Sequence, residues 1–162
     1  MPYLSFFFLY KGYDKKEGEL FPSDSFMTNF AGVCALLVAI FPMDFNLWFP
    51  DNFRSFISHR LAGTIHYYAA FFFFLSLGII CIINFRRTNT IENFGKMPSH
   101  NFYKMCGFGI FGSLFLIILF KSIPFLHQWA VQIGFPYLFW FETTSLLFFG
   151  ASWLKKGQVS NN

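Results

Sequence analysis

The sequence predicts an all-α fold, a polytopic transmembrane helix bundle with four full spans and a partial helix at the N-terminus. Three observations carry this. Of 162 residues, 55% are hydrophobic and only 12% are charged, where soluble chains carry about 25% charged residues. The apolar residues gather into long runs close to the ~20 residues that a hydrocarbon core requires. Period-two alternation, the mark of a barrel strand, is absent, and hydrocarbon offers backbone groups no partner outside a helix or a closed barrel. A soluble fold could not enclose 28 phenylalanines easily, because a domain of ~150 residues leaves much of its surface in water.

The whole chain, residues 1–162, is read as a single membrane domain. Its N-terminus, "MPYLSFFFLYKGYDKK", is apolar over residues 3–10 for about 12 Å at 1.5 Å per residue, too short to span. It has no basic n-region and no small-residue cleavage site, so it is a poor signal peptide. Residues 1–10 therefore read as the end of a helix whose beginning is missing. The expectation is a truncated gene product, with at least one more helix in a fuller homologue.

Segment A, near 26–42, "FMTNFAGVCALLVAIFP", stops at Pro42. Segment B, near 61–85, "LAGTIHYYAAFFFFLSLGIICIINF", stops at Arg86 and Arg87. Segment C, near 103–120, "YKMCGFGIFGSLFLIILF", is followed by Lys121. Segment D, near 135–154, "FPYLFWFETTSLLFFGASWL", stops at Lys155 and Lys156. Small residues mark packing faces: Ala31, Ala35 and Ala39 with Gly32 in A, and Gly109 and Ser113 with Gly112 in C. At this spacing helix backbones can approach closely. Cys34, Cys81 and Cys106 form no CxxC, and neither a disulfide framework nor a zinc ribbon is suggested. Buried free thiols are the expected reading.

Basic residues set the orientation. The side holding the loops 11–25 and 86–102 and the C-terminus carries Lys11, Lys15, Lys16, Arg86, Arg87, Lys96, Lys104, Lys155 and Lys156. The other side carries Arg54, Arg60 and Lys121. The positive-inside rule places the richer side, and the C-terminus, in the cytoplasm. Trp48, Trp129, Trp140 and Trp153 fall near helix ends, as an aromatic belt would place them.

The polar residues then sort by side. Asp44, Asp51, His59, His66, His127 and Glu142 belong to the outward side, and His100 to the inner. His59 and His66 differ by about 20° on a helix and share a face. His66 lies ~6–9 Å inside B, and Glu142 enters D from the same side to a similar depth. Ser145 and Ser152 lie within about 80° of Glu142. A carboxylate inside a membrane helix normally faces the bundle or a wet cavity. His66 is its most economical partner, either as a brace between B and D or as a ligand site. Asp44, His59, His127 and Ser145 complete a candidate outward-facing pocket.

No metal is expected. If one binds, His59, His66, His127 and Glu142 are the candidate ligands for zinc, because imidazole and carboxylate suit it, but no HxxxH, HExxH or CxxC is present. The stretch "SFISH" places Ser55 and His59 one turn apart, a thin echo of intramembrane ceramidase-like hydrolases. The paired histidines that such enzymes carry on a late helix are missing. Nucleic-acid binding has no support, since the basic residues sit at membrane edges.

The elements "FLYKGYD", "NFAGVCALLVAIFP", "HYYAAFFFFLSL", "YKMCG" and "FWFETTSLLFFGASWLKKG" together resemble a family of bacterial multi-pass membrane proteins. The family is of domain-of-unknown-function type, loosely grouped with the eukaryotic autophagy-modulator (DRAM-like) membrane proteins. The resemblance runs from Phe8 to Gly157. It implies an inner-membrane location and an additional helix before "YKGYD", and it marks His66 and Glu142 as matching the family pattern. It implies no particular activity.

The expected function is that of a non-enzymatic membrane component, or a binder of a small ligand or lipid, in contact with membrane lipids and with other membrane subunits. The alternatives are a membrane-embedded metal-dependent hydrolase and a small transporter. The hydrolase requires stoichiometric zinc that disappears in His66→Ala. The transporter is weakened by the lack of an evident internal repeat and of helices broken at mid-membrane.

Overall fold

The computed structural model describes residues 23–41, 59–85 and 98–160, and every element among them is helical. Helix α1 spans Asp24–Ile40. Helix α2 spans His59–Ile79 and runs on into a π-helical turn, Ile80–Asn84. Helix α3 spans Pro98–Ser122, α4 Pro124–Gln132 and α5 Tyr137–Ser160. The expected partial helix at residues 1–10 lies outside the described residues.

The bounds follow from local chemistry. Ser23 caps α1, its Oγ accepting from the Phe26 amide at 3.2 Å, and Asp24 supplies a negative charge in the first turn, where the helix dipole favours it. Pro98 and Pro124 each open a helix, where a missing N–H costs nothing. Helix α4 ends on Gly134, at φ +68°. The Phe135 amide donates to the Ala130 carbonyl at 2.8 Å and the Gly134 amide to that of Val131 at 3.2 Å. This is the Schellman pattern, and its left-handed residue is why glycine stands there.

Four full spans were expected, and among the described residues two helices are long and apolar enough to cross a membrane: Arg60–Asn84 and Asn101–Ser122. Helix α1 is apolar but only 17 residues long. Helix α5 has the length, at 24 residues, but Glu142, Thr143, Thr144 and Ser145 dilute its apolar run. Segment C extends further in both directions than its apolar run indicated, and the connection between C and D folds into α4. Only 39% and 28% of the most apolar stretches of the two spanning-length helices are buried. An apolar core helix of a water-soluble protein would be mostly enclosed.

The chain divides into two compact units, Met1–Ser76 and Leu77–Asn162, with the division inside α2. In the first unit α1 and the beginning of α2 run antiparallel. Phe30 meets Phe72 edge-on at 6.3 Å, and the Phe41 carbonyl at the end of α1 meets His66. The buried face of α1 is Asp24, Met27, Thr28, Ala31, Gly32 and Cys34. The expected alanine stripe is thus buried at Ala31, while Ala39 is exposed.

In the second unit α3 runs antiparallel both to the end of α2 and to α5. Against α2, Phe111 closes on Gly78, Ile82 on Gly107, and Tyr103 on Phe85. Against α5, Phe148 closes on Gly109, and Phe120 on Tyr137 and Phe141. Gly112, expected on the packing face, has open space where a Cβ would stand. The tight position is Gly107, whose ideal Cβ would lie 2.3 Å from Ile82 Cγ1 and 3.2 Å from the Gly78 carbonyl oxygen.

Candidate functional site

His66 sits on α2 two turns from its start. Its Nδ1 lies 2.7 Å from the Phe41 carbonyl oxygen. A carbonyl can only accept, so Nδ1 carries the proton and donates. In the neutral ring the lone pair then sits on Nε2. Phe41 is the C-cap of α1, where backbone carbonyls lack intrahelical donors. The histidine therefore closes one helix end from its neighbour. Sequence reasoning assigned His66 to a partner on segment D and overlooked the carbonyl, because a backbone acceptor leaves no mark in residue identities.

This bond predicts a particular pair of outcomes. His66→Ala should cost about 1 kcal/mol and lower the unfolding midpoint by roughly 3 °C. His66→Asn places an amide N–H near the position of Nδ1 and should recover part of the loss. Equal losses in the two variants would count against the brace.

His127 lies on α4, exposed, with its Nδ1 3.1 Å from the Tyr137 hydroxyl. The two rings stand edge-on at 6.0 Å. Tyr137 is also stacked on Phe120 at 5.1 Å, so the first turn of α5 is fixed by contacts from both α3 and α4. Glu142 follows one turn later and is half-buried. Ser145 is buried, and its hydroxyl donates to the Phe141 carbonyl of its own helix at 3.0 Å.

His66 belongs to the first unit, and His127, Glu142 and Ser145 to the second. Asp44 and the side chain of His59 lie outside the described residues. Among the described residues no three His, Cys, Asp or Glu side chains gather as metal ligands.

A second polar group, which sequence reasoning treated only as buried thiols and a weak serine stripe, sits at the opposite end of α5. Cys81 Sγ lies 3.1 Å from Ser152 Oγ, and both residues are buried. The Ser152 hydroxyl donates to the Phe149 carbonyl at 2.7 Å, so the thiol is left as the donor between the two. One turn on, Lys156 Nζ donates to the Phe85 carbonyl at 3.3 Å and stands 5.7 Å above the Phe85 ring. A cation at the C-terminal end of α2 is where the helix dipole favours it. The available sequence signal was the constant offset: 81 to 152 and 85 to 156 are the same distance apart in the chain, as two parallel helices in register require. Comparison with family models, with curated proteins and with solved structures finds no match.

Proposed function

We propose that the chain is an integral membrane protein of the multi-pass type, a non-enzymatic component that binds lipid or a small ligand at its outward side. The observation that supports this best is the exposure of large apolar side chains along the long helices. Tyr68 and Phe72 on α2, Phe108, Phe115 and Ile118 on α3, and Leu147 and Leu154 on α5 are all exposed. Soluble monomers expose large apolar side chains only in small patches, and in lipid their exposure costs nothing. Helix α4 fits the same reading. Phe125, Trp129, Val131 and Ile133 are exposed on and just beyond a short helix that follows a spanning-length one, and an aromatic-rich helix of this kind lies in the membrane interface.

The balance of basic residues orients the chain with the C-terminus in the cytoplasm and α4 outside. The inner membrane of a bacterium and kinship with the DRAM-like group belong to the same proposal and rest on the sequence motifs. The outward side of the second unit then carries His127 and Glu142, with Ser145 about one turn beyond Glu142 on α5. These are the groups offered to a ligand's polar head.

Reporter fusions test the reading. Alkaline phosphatase joined within residues 124–135 is expected to be active, and joined after Ser160 inactive. The reverse pattern would overturn the orientation. Release of the chain from membranes by alkaline washing would overturn the membrane reading itself.

A further inference from the structure

Asn84 on α2 and Tyr103 on α3 both lie at the cytoplasm-assigned end of the second unit. Asn84 is 2% exposed and Tyr103 0%. Both atoms of the Asn84 amide and the Tyr103 hydroxyl are buried without a hydrogen-bond partner among the described residues. Native structures rarely leave such groups uncompensated. The two residues lie at one level along the packed helices, since Phe85, next to Asn84 in the chain, sets its ring edge-on to Tyr103 at 5.6 Å. The Cys81–Ser152 contact lies one turn away along α2.

Asn84 also closes the π-helical turn, in which the Phe85 amide donates to the Ile80 carbonyl five residues back. Turns of this kind occur frequently at functional sites. Two independent features therefore coincide: a helix locally rewound, and three buried polar atoms close to it in the helix packing that have no partner among the described residues.

The chemistry of the unpaired atoms selects the guest. The Asn84 amide offers two N–H donors and a carbonyl acceptor, and the Tyr103 hydroxyl both donates and accepts. A cation would serve the oxygens and leave the Asn84 N–H groups unpaired. An anion would do the reverse. A neutral molecule that both donates and accepts serves all of them. We propose that Asn84 and Tyr103 form a binding site for bound water, the smallest such molecule, held between the end of α2 and the beginning of α3. Buried waters make about three hydrogen bonds each to polar groups of this kind. The site is independent of the outward-side reading above and of the orientation in the membrane.

The test uses the purified full chain. Tyr103→Phe removes one oxygen atom and keeps the ring packing, and Asn84→Leu removes the amide. If both groups bond to water, each variant should lower the unfolding midpoint by about 2–6 °C. An unchanged or raised midpoint for Tyr103→Phe would overturn the proposal, because that is what removing an unbonded hydroxyl from a dry core produces. The second measurement is magnetisation transfer from water to the Asn84 side-chain amide in a 15N-asparagine sample, its resonance assigned by its loss in Asn84→Leu. Transfer is expected. Its absence, with destabilised variants, would mean that another part of the chain satisfies these groups and would overturn the site. Should Asn84→Leu fail to fold, Asn84→Ser serves for the assignment, and Tyr103→Phe still decides the thermodynamic arm.

Discussion

Phe85→Ala is expected to destabilise the second unit more than any other single truncation at that end of the bundle. Phe85 is 1% exposed. Its ring meets Tyr103 at 5.6 Å, Trp153 at 5.5 Å and Phe149 at 6.3 Å, with the Lys156 ammonium above it. One side chain thus joins the end of α2 to both α3 and α5. Truncating a buried aromatic in a water-soluble core costs about 3–5 kcal/mol. On the membrane reading proposed above, the exposed reference state is itself apolar, so the transfer part of that cost shrinks and the packing part remains. The expected loss is therefore about 3 kcal/mol, the lower end of the range, or roughly 10 °C in the unfolding midpoint. Phe125→Ala on α4 is the control. That ring is 74% exposed, so its removal should leave the midpoint nearly unchanged. Similar midpoints for the two variants would show that Phe85 is not the junction.

Gly107→Leu should be nearly as damaging, for the opposite reason. Its Cβ alone would stand 2.3 Å from Ile82 Cγ1 and 3.2 Å from the Gly78 carbonyl oxygen. The side chain of Ile82 can turn away. The backbone of α2 cannot yield without moving the helix. Overpacking of this sort costs typically about 1–3 kcal/mol, and the branched leucine belongs at the upper end. The same experiment at Gly112 should give the opposite sign. A methyl group there meets nothing within 4 Å, so Gly112→Ala gains helix propensity, roughly 0.5–1 kcal/mol. Equal effects at the two glycines would refute the α2–α3 contact as described.

The helical class was legible in the sequence, because apolar runs of this length have few other uses. Which residue in a run faces a neighbour was not. Gly109, Gly112 and Ser113 were singled out for their spacing, and Ser113 is indeed buried. Gly112 faces open space, and the closest backbone approach falls on Gly107. Small residues permit contact without specifying it; the partner's shape, here Ile82 and Phe148 of the neighbouring helices, decides which one is used. The polar groups taught a similar lesson. His66 and His127 were noticed as ionisable side chains and matched with other ionisable side chains. In the structure the Nδ1 of His66 meets a backbone carbonyl and the Nδ1 of His127 a tyrosine hydroxyl. Asn84 and Tyr103 could not be found this way, since a single asparagine or tyrosine near the end of an apolar run carries no spacing signal at all.

The π-helical turn also acts as a phase correction. The buried positions of α2 near its end are Ser76, Leu77, Gly78, Ile80, Cys81, Asn84 and Phe85, and the glycine aside they recur at a spacing of four. An α-helix returns to the same azimuth every 3.6 residues, so a repeat of four slips by about 40° each time. Over two such steps the stripe would wind most of a right angle around the helix and carry Phe85 off its neighbours. Widening the last turn absorbs that slip, much as a leap day realigns a calendar. A sequence read at the ordinary helical period would place Phe85 and Asn84 toward the edge of the interface. The added residue per turn brings them back into line with Leu77.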